Sequence, residues 1–353
     1  MSTPHTLRRL AGRLAILAIP GLLWLAAYGA LDPFGVVWRH GDYCCTHGVQ
    51  YNRDFVSTEQ YLVHPARDSL DAFIFGSSRT DVYHAADWAP YIHSSRVFHF
   101  NAFGEGLFGV ATKLRWLDAR GARLRHVLIV TDTGMLSTVG DQLGHLYLKD
   151  PRTSGTSPLA FHAAFLKAFA TPKFLTAYAD YRLFHRWRPY MLGFITPDEV
   201  GYDRALNERY LVSADRAIRE RGDAYFADLE RAPPRPRVAP AAAPAVIGPT
   251  QRRMLLDIAS VLARQHSDYR IVVNPLYDEV PLNPADLAQL REIFGAGAVF
   301  DFSGANSITR DVHNYYESSH YRPAVARSIL REIYAPTSAG RAPDRHDPER
   351  AHG

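Results

Sequence analysis

Two stretches at opposite ends of the chain carry residues whose types and spacing allow chemistry. Gly76-Ser77-Ser78-Arg79 directly follows the apolar run Ala72 to Gly76 and leads into a helical pattern. A serine just past a strand sits at the carboxyl edge of a sheet, where open α/β folds bind ligands, and a helix start there favours developing negative charge. The same turn also serves as a plain helix cap. The second stretch, Tyr315-Tyr316-Glu317-Ser318-Ser319-His320-Tyr321-Arg322-Pro323, precedes the last helical pattern. A nucleophilic serine needs a base, and the base needs an acid that fixes its tautomer and stabilises the imidazolium formed during attack. Glu317, three residues before His320 on one short turn, can be that acid. Asp311 and His313 lie close enough to be alternative partners, with Asp311 the reserve acid.

The elements that must position these groups alternate between strand and helix, the pattern of a parallel sheet covered by helices. Strands are expected at Ala72 to Gly76, at SRVFHFNAF ending at Phe103, at His126 to Asp132, at Tyr269 to Pro275 and at Ala298 to Phe302. Helices are expected from about Gly106 to Arg120, from about Thr250 to Gln265, over PADLAQLREIF and over RPAVARSILREIY. The fifth strand returns the chain to the edge that holds Ser78. Between strands three and four stands an aromatic-rich, mainly helical insert, residues 134–249, ending in PPRPRVAPAAAP, a surface linker by composition. Such an insert either shapes a substrate pocket or only packs.

From Leu14 to Leu31 no residue is charged, and the run approaches the length that spans a hydrocarbon core. Arg8, Arg9 and Arg13 precede it and Asp32 follows, so the positive-inside rule puts residues 1–13 in the cytoplasm, 14–31 in the membrane and the rest outside. A cleaved signal peptide is the rival reading, Ala27 and Gly29 forming a small-x-small pair. Residues 32–69 are juxtamembrane, 70–133 with 250–334 form the main domain, and 335–353 read as a disordered tail.

With 353 residues, 47% of them apolar, the chain can bury a sizeable core. A formal charge of +4 without a basic, aromatic-interleaved stripe gives no nucleic-acid footprint. Cys44 and Cys45 are the only cysteines; they are adjacent, which suits neither a spaced zinc pair nor an easy disulfide. His64, His84, His93 and His99 are near one another in sequence, but nothing groups them as ligands, and no metal or cofactor is expected.

The serine turn after strand one, a glycine after strand two and an acid-x-x-His before the last helix resemble the SGNH/GDSL hydrolase superfamily. Within it, the leading anchor and the FGSSR and HYRP wording look most like envelope proteins of acyl transfer, such as those of teichoic-acid D-alanylation and alginate O-acetylation. The resemblance covers about 70–133 and 250–334 and not the insert. It implies a flavodoxin-like three-layer fold with five parallel strands in order 2-1-3-4-5. It implies Ser78 as nucleophile, with Ser77 in the place of the family's aspartate, His320 as base and Glu317 as acid. In Asn101-Ala-Phe-Gly-Glu-Gly106 it suggests Gly106 as an oxyanion donor beside the Ser78 N–H, Gly104 remaining open and Asn101 serving substrate or structure. The substrates implied are acyl esters of an envelope glycan, and a membrane acyltransferase at the inner membrane is the implied partner.

One departure matters. The family's asparagine after strand three is replaced by Thr131-Asp132-Thr133-Gly134. A carboxylate cannot donate to an oxyanion, so either Thr133 donates through its hydroxyl, or the donor is missing, or the acyl carrier differs; each such donor is worth about 3 kcal/mol. Arg79 reads as a surface or ion-pairing residue, with substrate-carboxylate binding the minority role. A rival motif, Gly104-Glu-Gly-Leu-Phe-Gly109, fits G-x-G-x-x-G with Asp132 ending the next strand, a dinucleotide fingerprint. Glu105 against a pyrophosphate, and the motif's place in the second βα unit, count against it.

Overall fold

The computed structural model describes residues 4–38, 43, 48–196, 200–231 and 240–335. The Cys44/Cys45 pair, the tail from 336 and part of the linker at 232–239 lie outside the described residues.

In chain order the helices and strands begin with α1 (Pro4–Leu31), α2 (Arg53–Val63), β1 (Ala72–Gly76), α3 (Ala85–Ile92), β2 (Val97–His99), α4 (Leu107–Ala119) and β3 (His126–Thr131). The insert contributes α5 (Thr133–Ser137), α6 (Pro151–Ser154), α7 (Pro158–Phe169), α8 (Pro172–Phe184), β4 (Gly201–Asp203), β5 (Glu208–Tyr210), α9 (Val212–Arg221) and α10 (Asp223–Arg231). The chain then continues with α11 (Pro249–Arg264), β6 (Asp268–Val273), α12 (Pro284–Phe294), β7 (Val299–Asp301), β8 (Tyr315–Glu317), β9 (His320–Tyr321) and α13 (Pro323–Ile333).

The fold is α/β. Five parallel strands run in the order β2-β1-β3-β6-β7, which is 2-1-3-4-5 when only the sheet's own strands are counted. Continuous apolar runs such as AFIFG form its centre because both faces are covered. Side chains alternate between those faces. Phe73, Phe75, Val127 and Ile129 join one core with α4, α11 and α12, while Ala72, Ile74, Leu128 and Val130 join another with α3 and α13.

Two expected elements come out differently. The second strand is only three residues long, and the insert covers its outer edge. The His99 N–H donates to the Leu206 carbonyl at 2.9 Å, and Asn207 Nδ2 donates to the His99 carbonyl, so the β4–β5 turn covers the strand where it would lie open. The segment after Ser78 is a 3₁₀ turn, Ser78–Val82, and not an α-helix. It closes tightly because Thr80 gives both its N–H (2.9 Å) and its hydroxyl (2.7 Å) to the Ser77 carbonyl.

The insert docks on three separate parts of the molecule. α7 and α8 build a third core of aromatic rings against the foot of α1, β4–β5 covers β2, and α9–α10 pack beside the β8–β9 hairpin. α1 itself carries a stretch, Arg8–Leu31, of mean hydropathy 2.0 and almost entirely exposed. By length and composition it can cross a membrane, and Pro20 does not interrupt it.

Candidate active site

Ser78 begins the 3₁₀ turn because Gly76 lets β1 end abruptly. Gly76 has φ +145°, and a Cβ there would meet the Val130 carbonyl at 2.5 Å, so no other residue fits without moving the neighbouring strand. Ser77 and Ser78 then separate in role. The Ser77 side chain is buried and accepts from the Arg79 N–H at 3.4 Å, capping the turn, whereas Ser78 is half-buried with its hydroxyl 2.7 Å from His320 Nε2.

The histidine arrives on the tight hairpin β8–β9, in which Glu317 pairs directly with His320 across the two-residue turn Ser318-Ser319. Glu317 Oε1 meets His320 Nδ1, and Oε2 accepts the Ser319 N–H at 2.7 Å. The carboxylate thus holds the ring and the turn that carries it. Burial acts to raise the Glu317 carboxyl, but the hydrogen bond and charge of His320, the Ser319 N–H and the nearby Arg79 outweigh it and hold the group below its ordinary value. Glu317 stays ionised at neutral pH. Asp311 instead accepts from His313, at 2.9 Å from both its N–H and its Nδ1, and caps the turn Val312–Asn314.

Arg79 joins the two halves of the site. Its Nε donates to the Ser319 carbonyl at 2.9 Å, one residue before His320, and its Nη1 pairs with Asp132 Oδ2 at 2.9 Å. Asp132 also accepts from the Met135 N–H (3.0 Å), capping α5, and from Asn274 Nδ2 (3.0 Å). Asn274 Oδ1 in turn accepts from the Tyr321 hydroxyl at 2.8 Å. Asp132 is therefore the centre of a network, Arg79–Asp132–Asn274–Tyr321, bonded to the chain on both sides of His320. Asn274 and Tyr321 were not expected from the sequence. A buried polar residue ending the fourth strand, at the sheet edge shared with Ser78, is the signal that could have marked the first of them.

The residues expected to donate to an oxyanion are less open than that role asks. Gly106 is buried under Thr138, and its N–H donates to Glu105 Oε1 at 3.1 Å. Gly104 is exposed, in the left-handed region at φ +53°. Thr133 follows Asp132 as the first residue of α5. Asn101 is fully buried; its amide donates to Thr80 Oγ1 (2.8 Å) and Asp81 Oδ1 (2.7 Å) and accepts from Arg53 Nε (3.1 Å), tying the end of β2 to the serine turn.

Glu105 points into the protein. It lies 2.6 Å from Lys113 Nζ and 2.7 Å from Lys149 Nζ, and Asp54 stands 2.7 and 3.7 Å from the same two lysines. Gly109 is required by this buried quartet, since a Cβ there would sit 2.1 Å from Glu105 Oε1. Burial acts to raise the Asp54 carboxyl, but the two lysines outweigh it and hold it low; Lys149 is correspondingly held up by Glu105 and Asp54. Among the described residues no group of three His, Cys, Asp or Glu side chains is arranged to hold a metal. His84 and His99 share one carboxylate, that of Glu208.

No protein-family model and no curated protein matches this chain.

Proposed function

We propose that the chain is a serine esterase or O-acyltransferase of SGNH-like, flavodoxin-like three-layer architecture, anchored by α1 with its catalytic domain outside the cytoplasmic membrane. The single observation that carries this reading is the unbroken relay from Ser78 Oγ through His320 to Glu317, with 2.7 Å at its first step. In this reading His320 Nε2 takes the Ser78 proton as the hydroxyl oxygen attacks an acyl carbonyl. Glu317 holds Nδ1–H toward itself and stabilises the imidazolium. The protonated histidine then gives its proton to the departing alkoxide, leaving an acyl-serine. Water or a polymer hydroxyl, deprotonated by the same histidine, releases the acyl group; which acceptor arrives distinguishes hydrolase from transferase. The open, half-exposed position of the relay suits a bulky substrate such as an acylated glycan. A membrane acyltransferase is the proposed acyl-exchange partner.

A second reading has its own observation. With a carboxylate at Asp132 and the Gly106 N–H bonded to Glu105, two expected oxyanion donors are missing or engaged, which favours a non-catalytic binding module of an envelope acylation complex. The dinucleotide reading has less support, since Glu105 and Gly109 are engaged in the buried quartet. Hydrolysis of a small activated acetyl ester by the full chain in detergent separates the first two. The esterase reading expects turnover that falls at least about 10³-fold in His320→Ala; equal background rates in the two proteins would support the binding module.

A further inference from the structure

The insert places an apolar and basic face beside the end of α1. Phe161, Phe165 and Phe169 recur every fourth residue on α7 and turn inward, with Phe174 of α8, toward Tyr28 and Phe34. Trp24 lies 4.7 Å from Phe169 between ring centres, and Tyr28 lies 5.5 Å from it. Trp24 precedes the end of α1 by two turns, about 10 Å of helix rise. The end of α7 therefore runs alongside the apolar helix instead of stopping below it. For a span of about 30 Å of hydrocarbon, that contact lies at the level of the headgroups and the first methylenes.

The outward residues of these two helices and of the turn after them are apolar and basic. Leu159, Leu183, Phe184 and Leu192 are 81%, 74%, 64% and 70% exposed. Among them stand the exposed Lys167, Lys173, Arg182 and Arg186, while the only carboxylate from 157 to 196 is Asp180, paired with Arg188 at 2.8 Å. Trp38 is exposed too, and its indole N–H donates to the Gly29 carbonyl in the last turn of α1. Water gives no reason to display leucine and phenylalanine in such numbers. A phospholipid boundary does, taking apolar side chains among its acyl chains, cations at its phosphates and tryptophan between them.

We propose that the α7–α8 face lies on the domain-side leaflet of the same bilayer that α1 crosses, with anionic phospholipid as its ligand. This rests on the membrane reading of α1. The docked face would hold the domain close to the membrane instead of leaving it on a free tether.

The test uses the full chain with Cys44→Ser and Cys45→Ser, reconstituted in phosphatidylglycerol-containing vesicles. One fluorophore is attached at Leu17→Cys in α1, at Phe184→Cys, or at Leu256→Cys on α11. Lipid-borne quenchers at acyl depth and at headgroup depth are then compared. The proposal expects deep quenching at 17 and shallow quenching at 184, several-fold above that at 256. It also expects Lys173→Glu with Arg186→Glu to remove most of the signal at 184 while leaving 17 unchanged. Absence of quenching at 17 would overturn the membrane reading and the proposal together. Quenching at 17 with none at 184 above the 256 level would overturn the proposal alone. A label at 184 shielded from aqueous iodide yet untouched by the lipid quenchers would give the face to a protein and equally overturn it.

Discussion

Between Glu317 and His320 the chain leaves only Ser318 and Ser319, so carboxylate and imidazole are cross-strand neighbours on one hairpin and their geometry does not depend on distant packing. That local pairing is why the spacing was informative in the sequence. It also fixes how the two residues should fail. Glu317→Gln keeps a hydrogen-bonding side chain but loses the charge that stabilises the imidazolium, so kcat should fall by about 10²-fold or more, and less than in His320→Ala. The double variant should be little worse than His320→Ala, because residues acting as a unit are not additive. Steady-state hydrolysis of an acetyl ester measures this. Losses that multiply would show that Glu317 acts independently of the ring. Arg79 was legible as an ion-pairing residue, but its partner was not. Asp132 stood out as a departure and as the acid of the dinucleotide fingerprint, not as the hub of a network, and its partners Arg79 and Asn274 are brought to it from two other strand ends. Long-range convergence of that kind leaves no local period to read.

At the scale of elements, the strands and helices of the sheet domain were readable because their apolar periods differ, with continuous runs in the buried strands and amphipathic runs in α11 and α13. The insert kept its aromatic richness visible and its destinations hidden. Its β4–β5 hairpin is held by a charge the sequence did not advertise: buried Glu208 accepts from His84 Nδ1 at 2.6 Å and from the Ala85 N–H at 3.0 Å, with His99 Nε2 at 3.6 Å. Burial acts to raise this carboxyl, but the His84 and His99 interactions and the Ala85 N–H overcome it and hold it far below its ordinary value. A group depressed in the folded state adds stability above its unfolded pKa and loses it as pH falls through the folded value. Glu208 should therefore stabilise the clasp fully above about pH 5 and progressively less below about pH 4. Glu208→Gln should cost about 3 kcal/mol at pH 7. The gap between variant and parent should narrow toward pH 3, as followed by urea unfolding. A gap that stays constant with pH would remove Glu208 from the acid response.

For the whole molecule, one chain combines an apolar N-terminal helix, a five-stranded parallel sheet domain and an insert that touches both. The insert's helices α7–α8 pack on the foot of α1, while its α9–α10 stretch braces the β8–β9 hairpin, Tyr225 donating to the Tyr316 carbonyl at 2.6 Å and Tyr316 to Asp215 at 2.7 Å. The same insert thus touches both the Glu317–His320 hairpin and the end of α1. The arginines before that helix and Asp32 after it argue for a domain outside the cytoplasm. A phosphatase that folds only outside the cytoplasm, fused after the last residue, should be active in cells. Activity confined to a cytoplasmic reporter would reverse the topology.

Whether Ser78 is an activated nucleophile is what a fluorophosphonate reports on alone, because it modifies a serine only when a neighbouring base has raised its reactivity. One adduct is expected on the full chain, mapped by peptide mass spectrometry to Ser78. The adduct should persist in Ser77→Ala and be absent from Ser78→Ala and His320→Ala. An unlabelled parent protein, or an adduct that survives Ser78→Ala, would contradict an activated Ser78.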